Sequence, residues 1–322
     1  LKNKYITIQE QNEEREIFFE DEEPNIKFIL QEKNEYEYIL KPNIDVYAYN
    51  IFYGKDHLYF LMDDKLYSSR KREKDVLPML NIFSKNFTQE IDFSRDDLKT
   101  LFSIVYPTTK DYIDLENLSQ TDREKYVPKD LDAKVYLDYD KNNFITADIK
   151  FVYGDQEFNP LLENDLEISR DAIKESEVLE MFRKTGFMLD EKNARLILTN
   201  DEYIYNFLTN DIERYMQKLE VLATDNFKQK EVKQPRIVSL GVRVENNLLN
   251  IDLTKIDFDP TELVNILNKY KLKKKFYRLK DGSFLDLQDN ENLEFLNNIT
   301  ESLDIDYKEL EKGNIKLPIY RT

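Results

Sequence analysis

Residues 271–288 read KLKKKFYRLKDGSFLDLQ, and the fold can be worked outward from them. Two short runs, 276–280 and 283–287, flank Asp281-Gly282, a pair suited to the positive φ of a two-residue hairpin turn. Such a turn places Tyr277, Leu279 and Phe284 on one face, with Arg278 and Lys280 on the other. A helical period opens after Asp289, where Leu293, Leu296 and Ile299 share the side that would cover the apolar face. Upstream, DPTELVNILNKY (259–270) carries the signals of a helix start. Asp259 can cap, Pro260 fits the first turn and Glu262 is spaced to close a capping box. Leu263, Ile266, Leu267 and Tyr270 then form its buried stripe.

The same hairpin-then-helix order recurs. YFLMDDKLY (59–67) resembles YRLKDGSFL (277–285), and LILTNDEYIY (196–205) leads into a helical pattern at 209–222, where Ile212, Tyr215, Met216 and Leu219 share a face. Further strands are read at 26–33, 35–40, 46–53 and 57–62. A helix is read at 92–107, capped by Ser94, stopped by Pro107, and carrying Leu98, Leu101, Phe102 and Val105. AKVYLDYD (133–140) and FITADIKFVYG (144–154) pair through Asn142 and Asn143, a helix follows at 169–184, and 235–253 reads as a hairpin around Asn246 and Asn247. These units predict an α+β fold of repeated β-hairpin plus helix units in mostly antiparallel sheet. The polar stretch 114–132 is the linker candidate. It divides a β-rich part, 1–127, ending in a helix and linker, from an α+β part, 128–322, with the hairpin–helix units.

Composition sets the chemical limits. The 322 residues include 41% hydrophobic and 13% aromatic side chains, enough for a substantial core. Cysteine is absent and His57 is the single histidine, which removes thiol chemistry, disulfides and Cys/His zinc sites. No apolar run approaches the roughly 20 residues of a membrane span, and no signal peptide opens the chain, so a cytoplasmic location is expected. A chain that opens on Leu1 reads as a piece of a longer protein. The net charge of -17 opposes non-specific DNA binding in bulk, so only local patches can favour it. Abundant Lys, Asn, Ile, Glu and Tyr, with no Trp, also fit drift in an AT-rich bacterial genome.

Six glycines are present, and the nearest two, Gly282 and Gly313, are 31 residues apart. Phosphate loops need closely spaced glycines so that backbone amides can approach the phosphates, so neither a P-loop nor GxGxxG exists here. Gly54-Lys55 is followed by Asp56, and the Asp201-Glu202 pair means nothing for ATP hydrolysis without such a loop. His57 precedes an apolar strand and reads as a strand-edge histidine. Asp138 and Asp140 lie two apart on a strand and could hold Mg²⁺, and Glu231-x-Lys233 has a nuclease-like spacing. Among 64 acidic residues both patterns arise by chance, and a solvated strand face and loop are preferred. No pattern calls for a cofactor or a metal. What remains is basic: Lys271, Lys273, Lys274, Lys275, Arg278 and Lys280, with a second zone of Lys228, Lys230, Lys233, Arg236 and Arg243. Lysines on phosphates release counterions, and Phe276 or Tyr277 could stack on bases if exposed. A solvated or docking face ranks ahead of a nucleic-acid face.

From YRLKDGSFLDL (277–287) the sequence resembles the helicase-associated region that precedes the motor in bacterial SWI/SNF-type helicases. AKVYLDYD, IKFVYGDQEFNPL (149–161), KTGFML (184–189), NDEYIYNFL (200–208), SLGVRVENNLLNIDL (239–253) and IKLPIYRT (315–322) are similar to that family in order, most specifically from about residue 133. The resemblance implies a non-catalytic accessory region of a DNA-dependent ATPase whose motor would begin soon after Thr322. Its partners would be that downstream motor and, through the basic hairpin, duplex DNA. It carries no catalytic residue over onto this chain. The alternative is a metal-dependent nuclease built on Asp138 and Asp140.

Overall fold

The computed structural model describes residues 4–10, 13–69, 73–86, 88–162, 166, 168–235, 241–252, 259–305, 307–310 and 313–318. The chain forms two compact units. The first comprises Leu1–Asp132, Phe151–Phe158 and Asn164–Leu179; the second comprises Ala133–Lys150, Asn159–Glu163 and Glu180–Thr322. Its sheets are mostly antiparallel and its helices short, so the class is α+β.

In the first unit, a five-stranded sheet runs in the order Lys4–Glu10, Glu13–Glu20, Lys65–Ser69, Leu58–Met62, Tyr49–Tyr53. Asp63 and Asp64, at φ +47 and +63, make the two-residue turn between Leu58–Met62 and Lys65–Ser69. Short polar side chains tolerate that left-handed backbone, and its twist matches the flanking strands. The helix Glu73–Asn86 follows, so this copy of the hairpin–helix unit forms as read. A four-stranded sheet, Ile91–Ser94, Glu37–Pro42, Phe28–Glu32 and Ile113–Asp114, completes the unit. Phe28, Tyr38, Phe60, Phe83 and Phe102 fill its core at 0–1% exposure.

Two readings change here. The helix does not stop at Pro107: it runs over 97–109 through a wider π turn at Leu101–Val105. In that turn the Tyr106 amide reaches back to the Leu101 carbonyl, and Pro107, lacking an N–H, sits in the first turn of the final segment. Ser94 does serve the start, because its Oγ accepts the Asp97 amide at 3.3 Å while Asp97 Oδ2 accepts the Ser94 hydroxyl at 2.6 Å. The polar stretch 114–132 holds a helix, Gln120–Tyr126, capped by Ser119. Its Asp122 is buried and accepts the Tyr38 hydroxyl at 2.7 Å.

A further sheet, its strands mostly in the second unit, is ordered Met188–Asp190, Arg195–Leu198, Ile145–Tyr153, Leu131–Tyr139, Glu220–Ala223. Phe182, Phe187, Phe207 and Tyr215 meet edge to face at 4.8–5.3 Å, the arrangement favoured by ring quadrupoles. The third expected hairpin does not form. Asn200 accepts the amides of Glu202 and Tyr203, so a helix starts at Asp201 where a second strand was read. Acidic residues in its first turn suit the positive end of the helix dipole. The hairpin around Asn246 and Asn247 forms between Gly241–Glu245 and Leu248–Asp252, while its upstream residues 236–240 lie outside those described.

The 276–286 hairpin forms with a register one residue away from the expected one. Phe276 pairs with Asp286, Tyr277 with Leu285 and Arg278 with Phe284. The Leu279 amide bonds the Ser283 carbonyl at 2.9 Å and the Gly282 amide bonds the Leu279 carbonyl at 2.9 Å. The loop therefore has three residues, Lys280 to Gly282, with Gly282 at φ +88 as its left-handed member. A one-residue slip exchanges faces. Phe284 consequently lies with Arg278, while Tyr277, Leu279, Leu285 and Leu287 face the core formed with Leu263, Ile266, Leu267, Leu293 and Leu296. The helix Glu291–Ser302, capped by Asn290, covers that side as expected, with Ile299 partly buried on it.

Candidate functional site

The lysines of 269–275 gather at a helix end. The helix Leu263–Lys271 closes with the Lys274 amide on the Lys269 carbonyl at 3.1 Å and the Lys273 amide on the Tyr270 carbonyl at 2.8 Å. This is the Schellman arrangement, with Lys273 in the left-handed position at φ +53, where glycine is the usual residue. Cations at the end of a helix meet the partial negative charge of its free carbonyls, so the cluster is locally favourable in an acidic chain.

The six predicted contact residues divide by environment. Lys273, Lys274 and Lys275 are exposed and form no ion pair among the described residues. With Lys269 they line one side of an open groove of about 800 Å³, whose other side carries Asn200, Asp201 and Glu202. Lys271 pairs with Glu301 at 3.2 Å. Lys280 is exposed and donates to Thr261 Oγ1 at 3.2 Å. Arg278 is turned inward: it pairs with Asp201, donates to the Asn143 carbonyl and stacks 5.1 Å from the Phe284 ring. That position follows from the register, because the face carrying Arg278 packs on Phe276, Phe284 and Tyr205.

Neither aromatic of the tract is free to stack on a base. Phe276 stacks on Tyr205 at 4.6 Å and 20° between planes, and the Tyr277 hydroxyl donates to the buried Glu262 at 3.1 Å. Burial, together with the Glu262 carboxylate, raises the Tyr277 hydroxyl above its usual pKa. In the second basic zone, Lys230 bonds the Asn143 side chain and lies 4.9 Å above the Tyr139 ring. Lys233 reaches Asp281 at 3.8 Å, and Lys228 and Arg243 are exposed. Arg236 lies outside the described residues.

Asp138 and Asp140 each have a carboxylate oxygen taken up by the protein's own donors. Asp138 Oδ1 accepts Thr224 Oγ1 at 2.6 Å, Asn226 Nδ2 at 3.1 Å and the Tyr139 amide at 2.7 Å. Burial works to raise its pKa, but the bonds from Thr224, Asn226 and Tyr139 prevail and hold the carboxyl below the ordinary range. Asp140 Oδ1 accepts the amides of Asn142 and Phe144 at 2.9 and 2.8 Å, tying the hairpin loop. Asp140 is thus a local turn acceptor, whereas Asp138 holds its strand to Thr224 and Asn226 more than 80 residues on. Glu231 is exposed beside the short strand Val232–Lys233. Among the described residues no group of three or more His, Cys, Asp or Glu is arranged to hold a metal ion. His57 follows the 54–56 turn, its carbonyl accepting the Gly54 amide at 2.9 Å, and its ring lies 6.3 Å from Tyr59. Sequence reasoning missed Asp201 as the partner of Arg278, because residues 77 apart in the chain meet only once the fold is formed.

Among the described residues no helix is long and apolar enough to cross a membrane. No curated protein and no solved structure matches the chain. The family model described as bacterial SNF2 helicase associated matches residues 1–322, and such a family implies association with an SNF2 helicase motor region. The chain belongs to the bacterial SNF2 helicase-associated family.

Proposed function

We propose that this chain is a non-catalytic accessory region that docks on the SNF2-type motor of its own polypeptide and presents the Lys273–Lys275 turn to the phosphates of the duplex the motor engages. The carrying observation is the turn itself: three exposed lysines, unpaired among the described residues, on a backbone fixed by paired helix-end hydrogen bonds. A chain of net charge -17 gains nothing in solubility from such a cluster, whereas three ammonium groups on a fixed backbone suit a phosphate backbone. Phe276 and Tyr277 are engaged in internal contacts, which favours backbone contact over base stacking. With Asp138 bonded to Thr224 and Asn226 and Asp140 tying its hairpin loop, the metal-dependent nuclease alternative has no geometric support.

Three lysines contribute little in bulk solution. They count when the motor already holds the DNA, because the second contact is then intramolecular and works at a high effective concentration. The test is the duplex-stimulated ATPase activity of the full polypeptide, with Lys273, Lys274 and Lys275 changed together to Glu. The expected result is a roughly tenfold rise in the duplex concentration for half-maximal activity, about 1.4 kcal/mol. An unchanged half-maximal concentration overturns the DNA contact, and a change in activity without DNA assigns the turn to motor docking instead.

A further inference from the structure

A second cationic site lies in the first unit and does not rest on the Lys273–Lys275 turn. Arg95 and Lys99 are four residues apart at the start of the 97–109 helix, and Lys125 comes from the helix Gln120–Tyr126. The three line one cleft of about 260 Å³ together with Tyr126 and Ser169, and among the described residues Asp96 is the one acidic side chain in its lining. Arg95 is compensated by Asp122, whereas the two lysines are not. Lys99 and Lys125 are exposed and have no ion pair among the described residues.

Arg95 is oriented from behind. Its Nη2 lies 3.3 Å from Asp122 Oδ1, the same carboxylate that accepts the Tyr38 hydroxyl through its other oxygen. The Arg95 Nε is buried and has no hydrogen-bond partner. Lys125 lies 5.3 Å from the Tyr126 ring, and Ser169 donates to the Tyr126 carbonyl, which leaves its hydroxyl oxygen free to accept. The cleft thus combines one planar donor fork, held by a buried carboxylate, with two mobile ammonium groups.

We propose that this cleft binds a terminal phosphate group. Arg95 is already paired with Asp122, so Lys99 and Lys125 are the cations left to meet a ligand, and two ammonium groups suit the charge of a phosphomonoester near neutral pH, about −1.5 to −2. The volume also lies below the ~300 Å³ at which sites for drug-sized molecules begin, so it suits a phosphate or diphosphate with little attached. Such a group can come from a small molecule or from a phosphorylated end of a nucleic acid.

The test is titration calorimetry of the 322-residue chain with inorganic pyrophosphate, run alongside thermal melts with and without it. Wild type is expected to bind in the micromolar to low millimolar range and to melt higher with ligand. The double variant Lys99→Glu, Lys125→Glu is expected to lose at least tenfold in affinity while melting like wild type without ligand, since both side chains are exposed. A variant carrying Glu at 273, 274 and 275 is expected to bind pyrophosphate as wild type does. Displacement by an oligonucleotide duplex only when it carries a terminal phosphate assigns the source to nucleic-acid ends; no displacement by either duplex assigns it to small molecules. Absence of binding at millimolar pyrophosphate overturns the site, as does equal loss in the 273–275 variant, which would mark a general charge effect. Should the double variant melt lower, Lys99→Ala alone decides, with unchanged affinity counting against the site.

Discussion

Lys273 holds its backbone at φ +53 in the last turn of the helix Leu263–Lys271. An L-residue there costs roughly 1–2 kcal/mol relative to its preferred conformations, part of which glycine avoids. Lys273→Gly is therefore expected to stabilise the chain by about 0.5–1 kcal/mol, read as a rise in urea midpoint, after allowance for glycine's looser unfolded state. A fall in midpoint would mean that the lysine side chain contributes packing absent from its exposed position. The basic tract was legible as a tract, because it is a run of like residues. Which of its cations are free was not legible, because Glu301 reaches Lys271, Thr261 reaches Lys280 and Asp201 reaches Arg278 from elsewhere in the chain. The Asp138 and Asp140 pair shows the same limit: the spacing is visible, whereas the amides and hydroxyls that occupy its oxygens are not.

At the scale of elements, the 276–286 hairpin depends on one residue of loop length. Asp281-Gly282 signals a turn in any reading, but the flanking contacts decide between two and three loop residues. The observed register puts Leu285 and Leu287 at 1% and 2% exposure into the core and sets Phe284 against Tyr205 and Phe276. The two-residue alternative would turn Phe284 to the core and Leu285 away from it. Arg278 reports on this arrangement. Arg278→Ala is expected to lower stability by about 1–3 kcal/mol, since it removes a charged partner from Asp201 and a donor from the Asn143 carbonyl. Arg278→Lys should restore only a fraction, because a point ammonium cannot make both contacts and lie over Phe284. Lys274→Ala, measured in the same urea melts, should fall within about 0.5 kcal/mol of wild type. Equal effects at 278 and 274 would contradict the register. The π turns at Leu101–Val105 and Phe207–Asp211 had no sequence signal beyond a proline near the first, since a widened turn leaves the apolar period almost unchanged.

Across the molecule, four tyrosines link both units to pH. Burial foremost raises the hydroxyls of Tyr38, Tyr139 and Tyr215 to about 12. Burial, and then Glu175, raises Tyr153 as well. Free tyrosine titrates near 10, so the folded chain holds these protons more tightly than the unfolded one. Stability is therefore complete below about pH 10 and falls as pH rises towards 12, by on the order of 2–3 kcal/mol for each group raised to about 12. Urea midpoints at pH 8 and pH 11 should show the drop, and a flat profile would contradict the burial. Tyr139 separates further, because its hydroxyl is buried with no partner. Tyr139→Phe should be neutral or mildly stabilising at pH 8 and should lessen the alkaline loss.

The α+β class and two of the hairpin–helix units were legible because they rest on local period and turn chemistry. The third unit was not, since a single asparagine cap turned its second strand into a helix. Family membership was legible from ordered motifs, whereas the phosphate-suited cleft of Arg95, Lys99 and Lys125 joins helices that no contiguous motif spans.

The most direct measurement is fluorescence anisotropy of a labelled duplex with this chain at several salt concentrations, beside the variant with Glu at 273, 274 and 275. Contact by three lysines predicts weak binding whose log affinity falls against log salt with a slope of about −2 to −3, and its loss in the variant. Salt-insensitive binding, or equal binding by the variant, would contradict the assignment of this turn to DNA phosphates.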